Sequence, residues 1–255
     1  MSKIDVDYKK VLISDVAADG GLGTKWIEIE GTTRKGTASL MGSDASVTAH
    51  KNVLGDILAS STEKGDNNFN FQCGDISADN RAYLMGGEVV TDPVNGKKWK
   101  APKTTSLIKK SVMIIGRDNS VEYAANVQLE AYIARADDDL AYIQVNGLVL
   151  VPEKANEEMQ GSYDNIDSTK NDIVGFTLPE QTVAATINAS AHTVAITVAT
   201  GTSKTALAPV VTTSIGAVVS PLSTVATDFT SAVTYTVKSA DGFSQVWTVT
   251  VTVAP

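Results

Sequence analysis

From Val121 to Ile133 every odd position is apolar (Val121, Tyr123, Ala125, Val127, Leu129, Ala131, Ile133), while the even positions are mostly polar. A period of two predicts a β-strand with one face buried. The even face, Glu122, Asn126, Gln128 and Glu130, is then acidic and amide-rich. The alanines favour helix by propensity, but a helix would scatter Val121, Tyr123, Val127, Leu129 and Ile133 around its circumference. An apolar run from Leu107 to Ile115 precedes the turn Gly116 to Ser120, and Leu140 to Leu150 follows a second polar turn, Arg135 to Asp139. Three strands joined by short turns form a meander. At roughly 3.3 Å per residue the middle strand runs about 40 Å, which demands partners along both edges.

Upstream, Lys10 to Ile13 and Lys25 to Glu30 read as strands flanking a glycine-rich loop, Ala17 to Thr24. That loop lacks the spacing and the Gly-Lys-Ser/Thr ending of a phosphate cradle, so it is structural. A strand is expected near Thr37 to Met41, then a long polar passage through His50, Gly55 and Ser60 to Asp66, the kind of loop that is mobile or held by a partner. Phe69 to Cys73 reads as a strand. Ser77 caps a helix over Ala78 to Met85 that stops at Gly86-Gly87. Asp75, Ser77 and Asp79 mimic the start of a calcium loop, but Asn80 and Gly86 stand where glycine and glutamate are required, so a helix cap is the better reading. Glu88 to Thr91 and Lys97 to Lys100 flank a hairpin loop.

Pro152 to Asp172 is polar, acidic and without period, and reads as a linker. Beyond it alternation returns at Val194–Val198, Val233–Val237 and Trp247–Val253, the last two forming a hairpin around Ser239 to Ser244, with a further strand or two over Val210 to Val219 around Gly216. Short threonine-rich strands at this spacing suggest an immunoglobulin-type β-sandwich. The expected fold is mainly β: a domain over residues 1–155 with one short helix, an acidic linker over 156–175, and a sandwich over 176–255.

The chain has 255 residues, 43% of them hydrophobic, enough for packed cores. Residues 1–10 are charged and lead into no apolar segment, so neither a signal peptide nor an anchor is expected, and synthesis in a cytoplasm is. Cys73 is the only cysteine, which excludes disulfides within a chain. The net charge of −8 argues against a protein that grips nucleic acid through its phosphates. Seven of those charges fall in the first 175 residues, because from Phe176 onward three acids face two lysines. Catalytic chemistry is scarce. His50 and His192 are the only histidines and neither has an evident partner, Asp137-Asp138-Asp139 reads as a solvated turn rather than a metal site, and Asn188-Ala189-Ser190 means little without a secretory signal. Neither catalytic residues, metal nor cofactor is expected. Trp26, Trp99 and Trp247 lack the basic interleaving of a strand-binding surface.

Taken together, Trp26-Ile27-Glu28-Ile29 after the glycine-rich loop, Asp75 to Gly87, Trp99-Lys100-Ala101-Pro102 and the meander ending at Leu148 to Pro152 resemble the major tail tube proteins of long-tailed bacteriophages. The resemblance covers about residues 1–160. The C-terminal pattern, Thr234 to Val237 through Asp241-Gly242 to Val249-Thr250-Val251, looks like the bacterial immunoglobulin-like modules appended to virion proteins. This implies a subunit of stacked hexameric rings in a virion tail, with tape measure and tail terminator proteins as partners and viral DNA passing through without specific binding. Glu122, Asn126, Gln128 and Glu130 would line the channel. Gly20, Gly21 and Gly23 of the loop, with Asp44, Lys51 and Asp66 of the polar passage, would serve ring stacking. The C-terminal module would be a tethered outer decoration with a weak host-surface ligand, dispensable for assembly. A bacterial surface or adhesion protein built of β-sandwich modules is the alternative, and an enzyme would need a cluster of perturbed groups the sequence does not offer.

Overall fold

The computed structural model describes residues 8–29, 37–54, 56–63, 65–104, 107–136 and 139–255. Expectations on residues 1–7, Gly31, Gly55, Lys64 and the Asp137-Asp138 pair lie outside the described residues. The chain is mainly β and divides into two compact units, one formed by the described parts of residues 1–31, 109–126 and 152–255, the other by those of residues 32–108 and 127–151.

The first unit begins with β1 (Tyr8–Asp15), which pairs antiparallel with β2 (Ile27–Glu28) on one side. Six strands then belong to the second unit: β3 (Ser39–Gly42), β4 (Ser46–Lys51), β5 (Ile57–Glu63), β6 (Asn67–Cys73), β7 (Glu88–Asp92) and β8 (Gly96–Lys100). β1 pairs on its other side with β9 (Ile108–Gly116), and β9 with β10 (Val121–Ala136). The first six residues of β10 belong to this unit and the rest to the other, where β11 (Asp139–Val149) follows. From Val11 to Ser14 and from Lys110 to Gly116 every residue is buried, so β1 and β9 are covered on both faces. That is why Val112 to Ile115 reads as a continuous apolar run rather than an alternation.

One cover is the C-terminal region. Leu12, Met113, Ile115 and Val121 pack with Ile166 and Ala240, and Trp26, Tyr123 and Val218 close the rim. The segment expected to be an acidic linker is part of this packing. Within it β12 (Gln160–Tyr163) adds to β10 with Val121 opposite Tyr163, and Ile166 and Ser168 are buried. The Tyr123 and Tyr163 rings stack 5.8 Å apart, and the Tyr123 hydroxyl donates to Glu158 at 3.2 Å. Polar contacts add to the apolar layer: Lys10 Nζ lies 2.9 Å and Lys238 Nζ 3.4 Å from the Glu28 carboxylate, Lys9 pairs with Asp241, and Ser168 donates to Asp241 at 2.5 Å. The C-terminal region is therefore packed against β1 and β9 through Val218, Ala240 and Ile166 and not merely tethered.

Those strands are β13 (Ile173–Thr177), β14 (Thr186–Asn188), β15 (Thr193–Val198), β16 (Val210–Thr213), β17 (Val218–Ser220), β18 (Val233–Lys238) and β19 (Ser244–Val253). β13 pairs β16, while β14-β15-β19-β18-β17 form a five-stranded sheet in which β15 runs parallel to β19. The expected β18–β19 hairpin is present, with Tyr235 opposite Trp247. Alternation buries Val194, Ile196, Val198, Tyr235, Val237, Trp247, Val249 and Val251 around Phe176 and Phe229. Gly216 sits at φ 79°, and a Cβ there would lie 2.8 Å from Ile115 Cδ1, so only glycine lets this loop press on the buried layer.

In the second unit β10 pairs β11, β11 pairs β6 and β6 pairs β3. The hairpins β4–β5 and β7–β8 pair only within themselves among the described residues. Helix α1 (Ala78–Met85) starts and stops where the sequence indicates: the Ser77 hydroxyl accepts from the Asn80 N–H, and Gly86 ends the helix at φ 76°. The Trp99 indole N–H donates to the Gly86 carbonyl at 2.8 Å, fastening β8 to the helix end.

Truncating Ile166 to Ala should destabilise the protein by about 2–4 kcal/mol in denaturant titration, as for a core isoleucine, whereas a residue in a solvated tether would change stability by less than about 0.5 kcal/mol. Burial first, then Tyr163 and Glu158, push the Tyr123 hydroxyl up to about 12. The fold favours the neutral phenol, so this contribution is whole below the ordinary tyrosine value of 10.0 and is lost as pH rises through about 12. Tyr123→Phe should flatten the alkaline slope of stability across that window.

Candidate self-assembly surfaces

Register decides what each face of the second unit's sheet shows. Leu129 lies opposite Gly147, and Gly147 opposite Phe69; Ala131, Val145 and Phe71 form the next row, and Ile133, Ile143 and Cys73 the one after. Leu129, Phe69, Val145, Phe71, Ile143 and Cys73 are buried. The intervening rows point the other way. They read Gln128, Leu148, Asn68, Met41, then Glu130, Asn146, Asn70, Ser39, then Tyr132, Gln144, Gln72. Six carboxamides thus share one face, and some hydrogen-bond along it: Gln72 Nε2 donates to Gln144 Oε1 and Gln144 Nε2 to Asn146 Oδ1, each at 3.1 Å. Across these rows Glu130 is the one charged side chain, and no lysine or arginine is present.

Of the four expected channel residues, Gln128 and Glu130 stand on this face, half-buried and exposed respectively. Glu122 lies in the other unit, exposed and opposite Ser162. Asn126 is only 2% exposed, in a stretch where Ala124, Ala125 and Val127 are buried too, so its side chain faces no channel in this chain. The strand is covered on both sides at that point and the alternation lapses. Asn68, Asn70, Gln72, Gln144 and Asn146 were not singled out from the sequence. Their signal was the alternation of amides with apolar residues in Asn68-Phe69-Asn70-Phe71-Gln72 and Gln144-Val145-Asn146.

The polar passage forms an arm rather than a loop. β4 and β5 pair from Ser46–Glu63 to Lys51–Ile57, and no described residue of either strand is buried. Asp44, Lys51 and Asp66 are exposed on or beside it, as are the apolar Val47, Val53, Leu54, Ile57 and Leu58. A two-stranded hairpin with no core of its own and this many bare aliphatic side chains is built to be covered. The glycine-rich loop differs: Gly20, Gly21 and Gly23 are buried against their own chain, and a Cβ at Gly23 would fall 2.2 Å from the Asp15 carbonyl oxygen. These glycines serve internal packing, not an open stacking surface.

Among the described residues no group of three or more His, Cys, Asp and Glu side chains is placed to hold a metal ion, and no helix is long and apolar enough to cross a membrane. His50 lies on the arm, and His192 packs edge-on against Trp247 at 5.2 Å. Cys73 is buried.

Residues 173–251 match the protein-family model described as SGBP, N-terminal. The match covers the C-terminal sandwich, about a third of the chain. No curated protein matches the chain. Among solved structures, a candidate glycoside hydrolase of Bacteroides thetaiotaomicron is 35% identical over 35% of this chain and 26% of its own, with a TM-score of 0.32. The match thus spans about a quarter of that protein. A candidate secreted protein of Bacteroides fragilis is 18% identical over 34% of this chain and 98% of its own, at 0.29. The sheath/tube terminator of an extracellular contractile injection system, PVC, is 11% identical over 64% of this chain and 99% of its own, at 0.32.

Gly147 faces Val127 and Leu129, and a Cβ there would lie 2.5 Å from Val127 Cγ1. Gly147→Ala should therefore cost about 1–3 kcal/mol by overpacking, read as a lowered denaturation midpoint.

Proposed function

We propose that this protein is a structural subunit that assembles with copies of itself into stacked hexameric rings, a tail tube through which viral DNA passes. The reading rests on one observation above all: a wide sheet face of carboxamides that carries no cation. A channel for a polyanion must neither hold it by lysine and arginine nor repel it throughout, and amides with a sparse negative charge satisfy both demands. Gln128, Glu130, Gln144, Asn146, Asn68 and Asn70 line the conduit in this reading. The exposed β4–β5 arm, with Asp44, Lys51 and Asp66, makes the contacts between subunits that complete the assembly. The tube sits in a virion tail, with tape measure and terminator proteins as neighbours, and the C-terminal sandwich stands outside the bore and offers a weak site for a host surface.

The family match over residues 173–251 favours a second reading, a bacterial surface or adhesion protein assembled from β-sandwich modules. Negative-stain microscopy of the purified chain separates the two: rings or tubes with a central bore support the first, and a persistent monomer at high concentration supports the second. If tubes form, wild-type tubes should leave DNA unretarded in a gel at physiological salt. Tubes carrying Asn70→Lys, Gln144→Lys and Asn146→Lys should bind it with an affinity that falls at least tenfold between about 50 and 200 mM salt.

A further inference from the structure

The arm carries a prepared tip. The Asn52 side-chain oxygen accepts from the N–H groups of Leu54 and Asp56, each at 2.9 Å, and the Asn52 amide donates to the Asp56 carboxylate at 3.0 Å. This clamp holds Val53 and Leu54 outward at 103% and 84% exposure. Fixing the shape before contact lowers the entropy lost on docking. Two charges flank the tip, Lys51 and Asp56.

The same unit holds a groove along β10, lined by Leu84 and Met85 of α1, by Lys103, Leu107 and Ile108, and by Leu129 and Glu130 with their neighbours. Its floor is apolar. Leu107 is 69% exposed, and the charges at the groove are Lys103 and Glu130. Tip and groove therefore each present aliphatic side chains beside one cation and one anion.

We propose that the Val53-Leu54 tip of one copy seats in the Leu84–Leu107–Leu129 groove of a second copy, with Asp56 meeting Lys103. The inference rests on the self-assembly reading above and names the contact that carries it. Both surfaces belong to one chain and differ from each other, so a contact made in one direction is heterologous and repeats into a ring or a filament, the arrangement that the self-assembly reading requires. The opposed charges fix the orientation of the tip.

The test mixes two full-length variants, Leu54→Cys and Leu107→Cys, carrying different affinity tags, under mild oxidation. A disulfide-linked heterodimer at least tenfold above that of a Leu54→Cys and Ser203→Cys control pair supports the contact. In parallel, Lys103→Glu should raise the concentration at which assembly sets in at least tenfold, and adding Asp56→Lys to the same chain should restore it; circular dichroism verifies that each variant folds. If the wild-type chain forms rings or tubes while the cross-link is missing and Lys103→Glu assembles normally, the docking is overturned and the assembly reading stands. A third variant carries both Leu54→Cys and Leu107→Cys in one chain, and a cross-link that forms only within that chain, with none between the two single variants, also overturns it, since the arm would then fold onto its own groove. A wild-type chain that stays monomeric at millimolar concentration overturns both.

Discussion

The register of β10 against β11 is the constraint on which the rest depends. A slip of one residue would move Val127, Leu129 and Ile133 out of the core and drive Gln128 and Glu130 into it, reversing both faces. Gly147 helps to hold the setting, because the space a side chain would occupy there is taken by Val127 and Leu129. From that one alignment follow the buried rows through Phe69, Phe71 and Cys73 and the amide rows through Asn68, Asn70 and Gln72. The amide face is the other side of the core, and neither can be altered without the other.

A second dependence links the two ends of the chain within one unit. β1 and β9 are apolar on both faces, so a single layer cannot satisfy them, and the loops of the C-terminal sandwich supply part of the second cover through Ala240 and Val218, joined by Ile166. The Lys10–Glu28–Lys238 contacts surround that apolar layer. The Lys10–Glu28 pair is largely buried, so its attraction is offset by desolvation, and the apolar layer supplies most of the stability.

The distinctive features among the described residues are surfaces: an amide face, a bare arm and a groove with an apolar floor. Amides give a surface that water and polyanions wet without adhering, since each makes neutral hydrogen bonds of modest strength. The arm's exposed aliphatic residues have the opposite character, and their burial in an assembly would recover the hydrophobic stabilisation forgone in the lone chain.

Much of the fold could be read along the chain because it is carried by local signals. The period of two over Val121–Ile133, the Ser77 cap and Gly86 stop around α1, and the Asp241-Gly242 turn between β18 and β19 are all set by neighbours within a few residues. So were Gln128 and Glu130, which follow from parity on a single strand. The rest depended on contacts between distant segments. Residues 160–163 are too polar to announce a strand, and form one because β10 offers a free edge beside Val121 to Ala124. Asn126 obeys the parity of an outward position and is nevertheless buried, because covering depends on what lies over both faces of the strand. The amide face joins the β10–β11 hairpin to β6, whose Gln72 lies 72 residues before its partner Gln144, and their side-by-side order is a matter of which hydrophobic rows find each other. Periodicity along one strand says which residues share a face; only packing says whether that face meets water, a core or a neighbouring molecule.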